Sequence, residues 1–348
     1  MHHFHANNKE VDLQFLIMTL LSPADLCRLG ATSCYWRAVV QDPLLWRYFL
    51  IRDMSHWTSI DHVTMPRLEA LHVPLWEVEE EMDLSGHDFM TDYLKACPAS
   101  RQQWFPQKPS YGVVTSFLQS LVSPNMEPRY AMFGPGMEQL DVSMVTRLMH
   151  SPDVLPVAGT PQRQINGIGS GISYIYKNQH KFNILTLYST NSAERERARI
   201  DQQSFSNKLF IQDGADQSGH THFSPTPQVQ EACRAVDGFI YVANAEPGIG
   251  GEWEVETAQI QALVDPALGS TSRPLLVLSC VSREELDPNR GSTSSSTKRA
   301  RTPCVDMAQK LSLPLLPNPW MVQDTVADSL AGVLDGIAWL LRCSGRRL

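Results

Sequence analysis

Apolar residues near the start of the chain recur with helical spacing. Leu13, Leu16, Ile17 and Leu20 stand at i, i+3, i+4 and i+7, which predicts an amphipathic helix that stops before Ser22-Pro23. Ser22 reads as the N-cap of a second helix, with Pro23 at its first position and Asp25 in its first turn, where a carboxylate suits the helix dipole. Leu26 and Leu29 give that helix an apolar side and Gly30 ends it. Positions 35–40 and 44–50, divided by Asp42-Pro43, predict two further helical pieces. Some forty residues of short helices bury little surface alone, so the block at 10–52 reads as a docking module in need of a partner.

Positions 53–110 carry mixed helical signals, Trp57, Trp76 and Trp104, and an acidic run at 77–81, and they read as a helical linker with a solvated acidic face. From 111 to 345 short apolar runs alternate with helical periods. Strands are predicted at 129–133, 172–176, 182–188, 238–243 and 274–280, the later ones unbroken and therefore buried on both faces, as in a mostly parallel sheet. Helices are predicted between them at 139–150, 193–210, 228–235 and 254–264, at 306–311, and at 321–341, where Val322, Val326, Leu330, Val333, Leu334 and Ile337 form one stripe. The expectation is a multidomain chain: a small all-α module, a helical linker, and a three-layer α/β domain interrupted by a Ser/Thr-rich, low-complexity insert at 286–303.

Composition narrows the function classes. The chain has 348 residues, 43% hydrophobic and 19% charged, enough to bury cores in more than one unit. Lys plus Arg is 29 against 37 for Asp plus Glu, a net charge of -8, so no global basic field draws in nucleic acid. The longest apolar runs fall far short of the ~20 residues of a membrane span, which predicts no membrane partner. The start, Met1-His2-His3-Phe4-His5, lacks the apolar core of a secretory signal. The expected compartment is the cytoplasm, with the nucleus as a second address on the strength of Lys298-Arg299-Ala300-Arg301. Seven cysteines, with no Cys-x-x-Cys pair, are then expected as free thiols.

Several patterns approach a catalytic or ligand motif and miss it. Residues 129–136 run from a strand into Gly134-Pro135-Gly136 and on to a helix, the layout of a phosphate loop. A working loop needs G-x-x-x-x-G-K-[ST], and counting from Gly134 the second glycine is Gln139, the lysine Leu140 and the hydroxyl residue Asp141. A carboxylate then faces the phosphate position with no ammonium to offset it. Gly167-Ile168-Gly169-Ser170-Gly171 precedes a strand instead of following one. The histidines at 2, 3 and 5 and at 220 and 222 lack neighbouring ligands at metal spacing, and no nucleophile motif is present. No catalytic residue, cofactor or metal is therefore expected. Thr302-Pro303 has the form of a proline-directed phosphorylation site.

The run Leu21-Ser22-Pro23-Ala24-Asp25-Leu26-Cys27-Arg28-Leu29-Gly30, with Tyr35-Trp36-Arg37 and Asp42-Pro43-Leu44-Leu45-Trp46-Arg47, resembles the F-box. The family opens with Leu-Pro, where this chain has Lys9-Glu10. The stretches 129–136, 161–165, 180–185, 236–245, 273–280 and 320–324 resemble F-box receptors whose C-terminal domain is similar to a small GTPase without its nucleotide motifs. The Asp-x-x-Gly of a GTPase is here Tyr188-Ser189-Thr190-Asn191, and its Asn-Lys-x-Asp is Ser279-Cys280-Val281-Ser282.

The resemblance implies a non-catalytic substrate receptor of a ubiquitin ligase. It docks on the Skp adaptor, and through it on cullin and RING subunits, with Leu13, Ile17, Leu20, Pro23, Leu26, Leu29, Trp36, Pro43, Leu45 and Trp46 as contact candidates. It also implies clients such as telomeric repeat-binding factor 1 and D-type cyclins. Client contacts are expected at an exposed segment, Pro303, Cys304 and Val305 with Ala308, or at an edge strand bearing Ile172, Tyr174 and Tyr176. Relatives self-associate through sequence before the F-box, which leaves homodimer formation open for a chain with about ten residues there. A GTP-binding protein with an atypical loop, and a scaffold that sequesters clients without delivering them, are the competing readings.

Overall fold

A computed structural model describes residues 8–72, 87–98, 127–160, 170–188, 208–215, 221–246, 253–284, 301–346 and 348. The chain divides into two units, one comprising 1–57 and 63–106 and the other 58–62 and 107–348. The expected helices 193–210, apart from its last three residues, and the insert 286–303, up to residue 300, lie outside the described residues, as do Trp76, Trp104, the acidic run, His2, His3, His5 and His220.

In the first unit the helices are α1 (Asn8–Thr19), α2 (Pro23–Gly30), α3 (Cys34–Val40), α4 (Pro43–Asp53), α5 (Leu68–His72) and α6 (Phe89–Ala96). Local chemistry sets their starts. Ser22 accepts the Asp25 amide, Ser33 accepts the Trp36 amide, and Asp42 accepts the Leu44 amide ahead of Pro43. The Asp25 carboxyl is held below its usual range by its hydrogen bond with Ser22, then by Arg28.

The segment read as a helical linker is more than a linker. Phe89, Tyr93 and Ala96 of α6 are buried with α4, whereas Ser59–Asp61 forms a strand, β1, of the second unit. Three residues are too short to carry a readable strand period, and the isolated apolar Ile60 gave no sign of it.

The second unit is built on an eight-stranded sheet. Its strands are β1, β2 (Arg129–Phe133), β3 (Val157–Gly159), β4 (Ser170–Tyr176), β5 (His180–Thr186), β8 (Gly238–Asn244), β9 (Leu275–Val281) and β10 (Trp320–Val326); a separate hairpin pairs β6 (Phe210–Ala215) with β7 (Thr221–Pro225). The order is β1-β10-β9-β8-β2-β5-β4-β3, parallel from β10 to β5 and antiparallel at both ends. The accompanying helices are α7 (Gly136–Gln139), α8 (Met144–His150), α9 (Pro227–Arg234), α10 (Trp253–Val264), α11 (Cys304–Lys310) and α12 (Val333–Cys343).

Alternation along the strands builds the layers. Tyr130, Met132, Ile240, Val242, Leu276 and Leu278 join α8 and α12 in one core. Their neighbours Ala131, Phe133, Phe239, Tyr241 and Val277 are also buried, and Tyr241 donates its hydroxyl to Glu256 of α10 at 2.5 Å from the opposite face. Both faces of the central strands are therefore covered.

Three predicted helices are corrected. The stretch 321–341 is strand β10, then a turn, then α12. The i, i+4 spacing of Val322 and Val326 mimicked a helix because a central strand is apolar on both sides. Leu330 (φ 58) and Gly332 (φ 81) turn the chain, and a Cβ on Gly332 would lie 2.0 Å from the Asp324 carbonyl. The stretch 139–150 is not continuous: α7 ends at Gln139, and Ser143 caps a new helix by accepting the Thr146 amide. Phe210 opens β6 and is not helical.

All seven cysteines are free, with Cys34 exposed and Cys233, Cys280 and Cys304 buried. Burial pushes the Cys233 and Cys280 thiols up to about 12 and raises the Cys304 thiol well above its usual range, so their reactive thiolate forms are suppressed. Iodoacetamide at pH 8 is expected to alkylate Cys34 in the native chain and to leave these three unmodified until denaturant is added, as read by peptide mass spectrometry.

Candidate functional site

The phosphate-loop layout was the strongest small-molecule candidate, and the structure gives its glycines a different purpose. A Cβ on Gly134 (φ 125) would lie 2.5 Å from the Val242 carbonyl oxygen, and one on Gly136 would lie 2.9 Å from the Ala243 oxygen. Both glycines let the turn after β2 press against β8. Leu140, at the lysine position, is fully buried in the core. Gln139 accepts a hydrogen bond from the Asn244 amide at 3.2 Å, and the Asp141 backbone amide donates to Ser282 Oγ at 3.2 Å. At the base-reading position, Ser279 and Cys280 are buried and the Ser282 amide donates to Glu246 at 2.8 Å. Positions 189–191 lie outside the described residues, and among those described no group of three or more metal-ligating side chains occurs. Gly134→Ala is expected to destabilise the second unit by about 2–4 kcal/mol, combining backbone strain with the clash on β8, measurable as a lower midpoint in urea unfolding.

The helical unit presents a different surface. Its interior is an aromatic cluster: Trp46 lies 5.9 Å from Phe49 and 5.5 Å from Tyr93, Trp57 lies 6.0 Å from Tyr93, and all four are buried. Trp46 donates its indole N–H to the Val40 carbonyl at 2.6 Å, and the Tyr93 hydroxyl donates to Asp53 at 2.7 Å. Burial first, then the bond to Asp53, push the Tyr93 hydroxyl far up, so it remains a donor. Arg52 lies 4.4 Å over the Phe49 ring, pairs with Asp53 at 2.6 Å, and donates to the Thr19 carbonyl at 3.1 Å. That last bond, with buried Met18 and Thr19, fixes the end of α1 to α4.

Anchoring α1 by Met18 and Thr19 turns its predicted apolar stripe outward. Leu13, Leu16 and Ile17 are at least half exposed and Leu20 is 80% exposed. On α4 the residues between the buried Leu45, Trp46, Phe49 and Leu50 form a second outward row, Leu44, Tyr48 and Ile51. Tyr35 of α3 is exposed as well and donates its hydroxyl to Gln14 of α1 at 3.3 Å. Scattered apolar residues on a surface need no explanation, but three on one face of α1, continued by Leu20 just past its end, form a contiguous apolar surface.

The predicted contact residues therefore separate. Leu13, Ile17, Leu20 and Pro43 are exposed, and Pro23, Leu29 and Trp36 are partly exposed. Leu26, Leu45 and Trp46 are wholly buried and belong to the core of the module, not to its exposed surface. Sequence reasoning passed over Leu44, Tyr48 and Ile51, although their i, i+4, i+7 spacing, opposite the buried side of α4, was available as a signal.

The two client surfaces read from sequence are also corrected. Cys304, Val305 and Ala308 are buried under the sheet, and only Pro303 is partly exposed. Tyr174 and Tyr176 are core residues, with the Tyr174 ring stacked 5.9 Å from Phe182; Ile172 is partly buried. Nor is β4 the edge strand, since β3 pairs with it, Val157 opposite Tyr174 and Gly159 opposite Ser173. The outermost strand on that side is β3, all three of whose residues are exposed.

Comparison with known proteins places the chain. A family model described as F-box-like matches residues 11–52. F-box only protein 4 of Mus musculus is 49% identical over 332 residues, covering 95% of this chain and 82% of that protein. F-box only protein 4 of Homo sapiens is 49% identical over 333 residues, covering 95% and 81%, and the Bos taurus protein of the same name is equally similar.

Proposed function

From its membership of the F-box only protein 4 family, we propose that this chain is a non-catalytic substrate receptor of an SCF-type ubiquitin ligase. The observation that carries this reading is the outward apolar stripe Leu13, Leu16 and Ile17 on α1 of the F-box-like module, continued by Leu20 just past the helix end. An adaptor helix laid across that stripe removes it from water, in the manner of an amphipathic helix seated in a groove. Pro43, Leu44, Tyr48 and Ile51 offer apolar area on α4 for the same partner.

In this reading the second unit holds the client while ubiquitin transfer belongs to the cullin and RING subunits. Its parallel run β10-β9-β8-β2-β5, with β4 antiparallel, supports a small-GTPase-like domain, and the crowded Gly134 turn and buried Leu140 support one that works without nucleotide. The exposed outer strand β3 supports client capture by strand addition, and telomeric repeat-binding factor 1 and D-type cyclins are the clients to try.

Size-exclusion co-elution of the full chain with purified Skp adaptor, followed by cullin–RING-dependent ubiquitin transfer to each client, tests the proposal. A stoichiometric adaptor complex is expected, together with no saturable binding of labelled GTP and magnesium. Absence of the adaptor complex would overturn the receptor reading, and client capture without it would make the chain a sequestering scaffold.

A further inference from the structure

The Thr302-Pro303 dipeptide sits on a latch. Residues 301–303 belong to no helix or strand, Thr302 is partly exposed, and Pro303 is extended (φ -59, ψ 150). The strip is tied down on either side of the threonine hydroxyl. The Thr302 amide donates to the Ala245 carbonyl at 3.0 Å, beyond the end of β8. The Arg301 side chain, only 17% exposed, reaches over the carboxyl ends of β9 and β10. There its Nη2 pairs with Asp324 at 3.2 Å and donates to the Ser279 and Thr325 carbonyls at 2.5 and 3.4 Å. The next residue, Cys304, donates its thiol to the same Asp324 oxygen at 3.0 Å. One guanidinium thus offsets a largely buried carboxylate and joins the start of α11 to the sheet.

We propose that Thr302 is a phosphorylation site for a proline-directed kinase, and that its phosphate opens the Arg301–Asp324 latch. The transfer is ordinary: the Thr302 Oγ1–phosphorus bond forms, the bond from the γ-phosphorus to ADP breaks, and the hydroxyl proton passes to the kinase's base as ADP leaves. The product places a charge of about -1.5 to -2 one residue from Arg301, with three strong acceptor oxygens. A phosphate competes for a guanidinium better than a monoanionic carboxylate does, and on Thr302 it stands next in sequence to the guanidinium that Asp324 holds. A kinase binds the strip only when its ties to Ala245 and Asp324 are undone, so phosphorylation captures the open form and the phosphate keeps it from closing. The consequence is loosening of α11 and of the ends of β9 and β10, while the rest of the sheet stays fixed.

The test uses the full chain with a purified mitogen-activated protein kinase and Mg-ATP. Mass spectrometry is expected to find one phosphoryl group on Thr302, absent from Thr302→Ala. Hydrogen exchange is expected to speed at least tenfold in 304–310 and 279–282 on phosphorylation, with 129–133 unchanged. Asp324→Asn, which weakens the latch and leaves the kinase's recognition sequence intact, is expected to be phosphorylated several-fold faster than the native chain. Absence of phosphate on Thr302, or a phosphorylated chain whose exchange in 304–310 is unaltered, overturns the proposal. The result is independent of adaptor docking, since neither unit's partner is present.

Discussion

Ile17→Asp, Leu20→Asp is expected to abolish binding to the Skp adaptor while leaving the thermal melt of the chain within a few degrees of native. The two side chains are 50% and 80% exposed, so neither contributes much to the module's own core, and substitutions at such positions usually shift stability by about 0.5 kcal/mol or less. In a complex both would be buried, and each fully buried aliphatic side chain is worth about 1.5–3 kcal/mol. Scaled by those exposures, losing two gives about 2–4 kcal/mol, or on the order of 10–10³-fold in affinity, before counting the cost of pressing carboxylates against an apolar partner. Titration calorimetry with purified adaptor reads the affinity, and circular dichroism of the same samples reads the melt. Affinity within threefold of native would place the adaptor surface elsewhere on the module. A parallel pair on α4, Tyr48→Asp with Ile51→Asp, then reports whether that row shares the contact.

The same stripe marks how far the sequence could be read. Its i, i+3, i+4, i+7 spacing specified a helix with one apolar face, and α1 is that helix. Periodicity does not say which body covers the face. Met18 and Thr19, next to the stripe, turn inward and leave it outward, a fact set by the tertiary bond from Arg52 to Thr19 and by packing on α4. Local signals were more complete: Ser22, Ser33 and Asp42 cap three successive helices because each cap needs only the two or three residues that follow it. In the second unit the apolar runs marked β2, β8 and β9, yet β10 passed for helix because burial on both faces removes the period of two. The strand β1 was unreadable for another reason. It is specified by the β10 edge it pairs with, Ser59 opposite Gln323 and Asp61 opposite Met321, more than 250 residues away. The failed phosphate loop was legible in its substitutions at 139–141, whereas the purpose of Gly134 emerged only once Val242 stood against it.

Trp46→Ala is expected to abolish adaptor binding by the opposite route, through loss of the module itself. Trp46 is fully buried, its ring touches both Phe49 and Tyr93, and its indole N–H satisfies the Val40 carbonyl at the end of α3. Truncating a buried tryptophan costs about 3–5 kcal/mol, and the freed carbonyl adds to that. Against a total of about 5–15 kcal/mol for a domain, a helical unit this small is left with little or no net stability. The core of the second unit contains no residue of the first, so its sheet is expected to keep its protection. Hydrogen exchange of the full-length variant should therefore show α2, α3, α4 and α6 exchanging at unfolded rates with β2, β8 and β9 still slow. Trp46→Phe, which keeps a six-membered aromatic ring but loses the pyrrole part of the indole with its N–H, should retain the fold with a loss of about 1–3 kcal/mol. Binding lost with protection intact, as predicted for Ile17→Asp, Leu20→Asp, identifies a surface residue; binding lost together with protection identifies a core one. If Trp46→Ala left α2 to α4 protected and still eliminated binding, the indole would have to reach the partner itself, and the division between core and contact face drawn across α4 would be wrong.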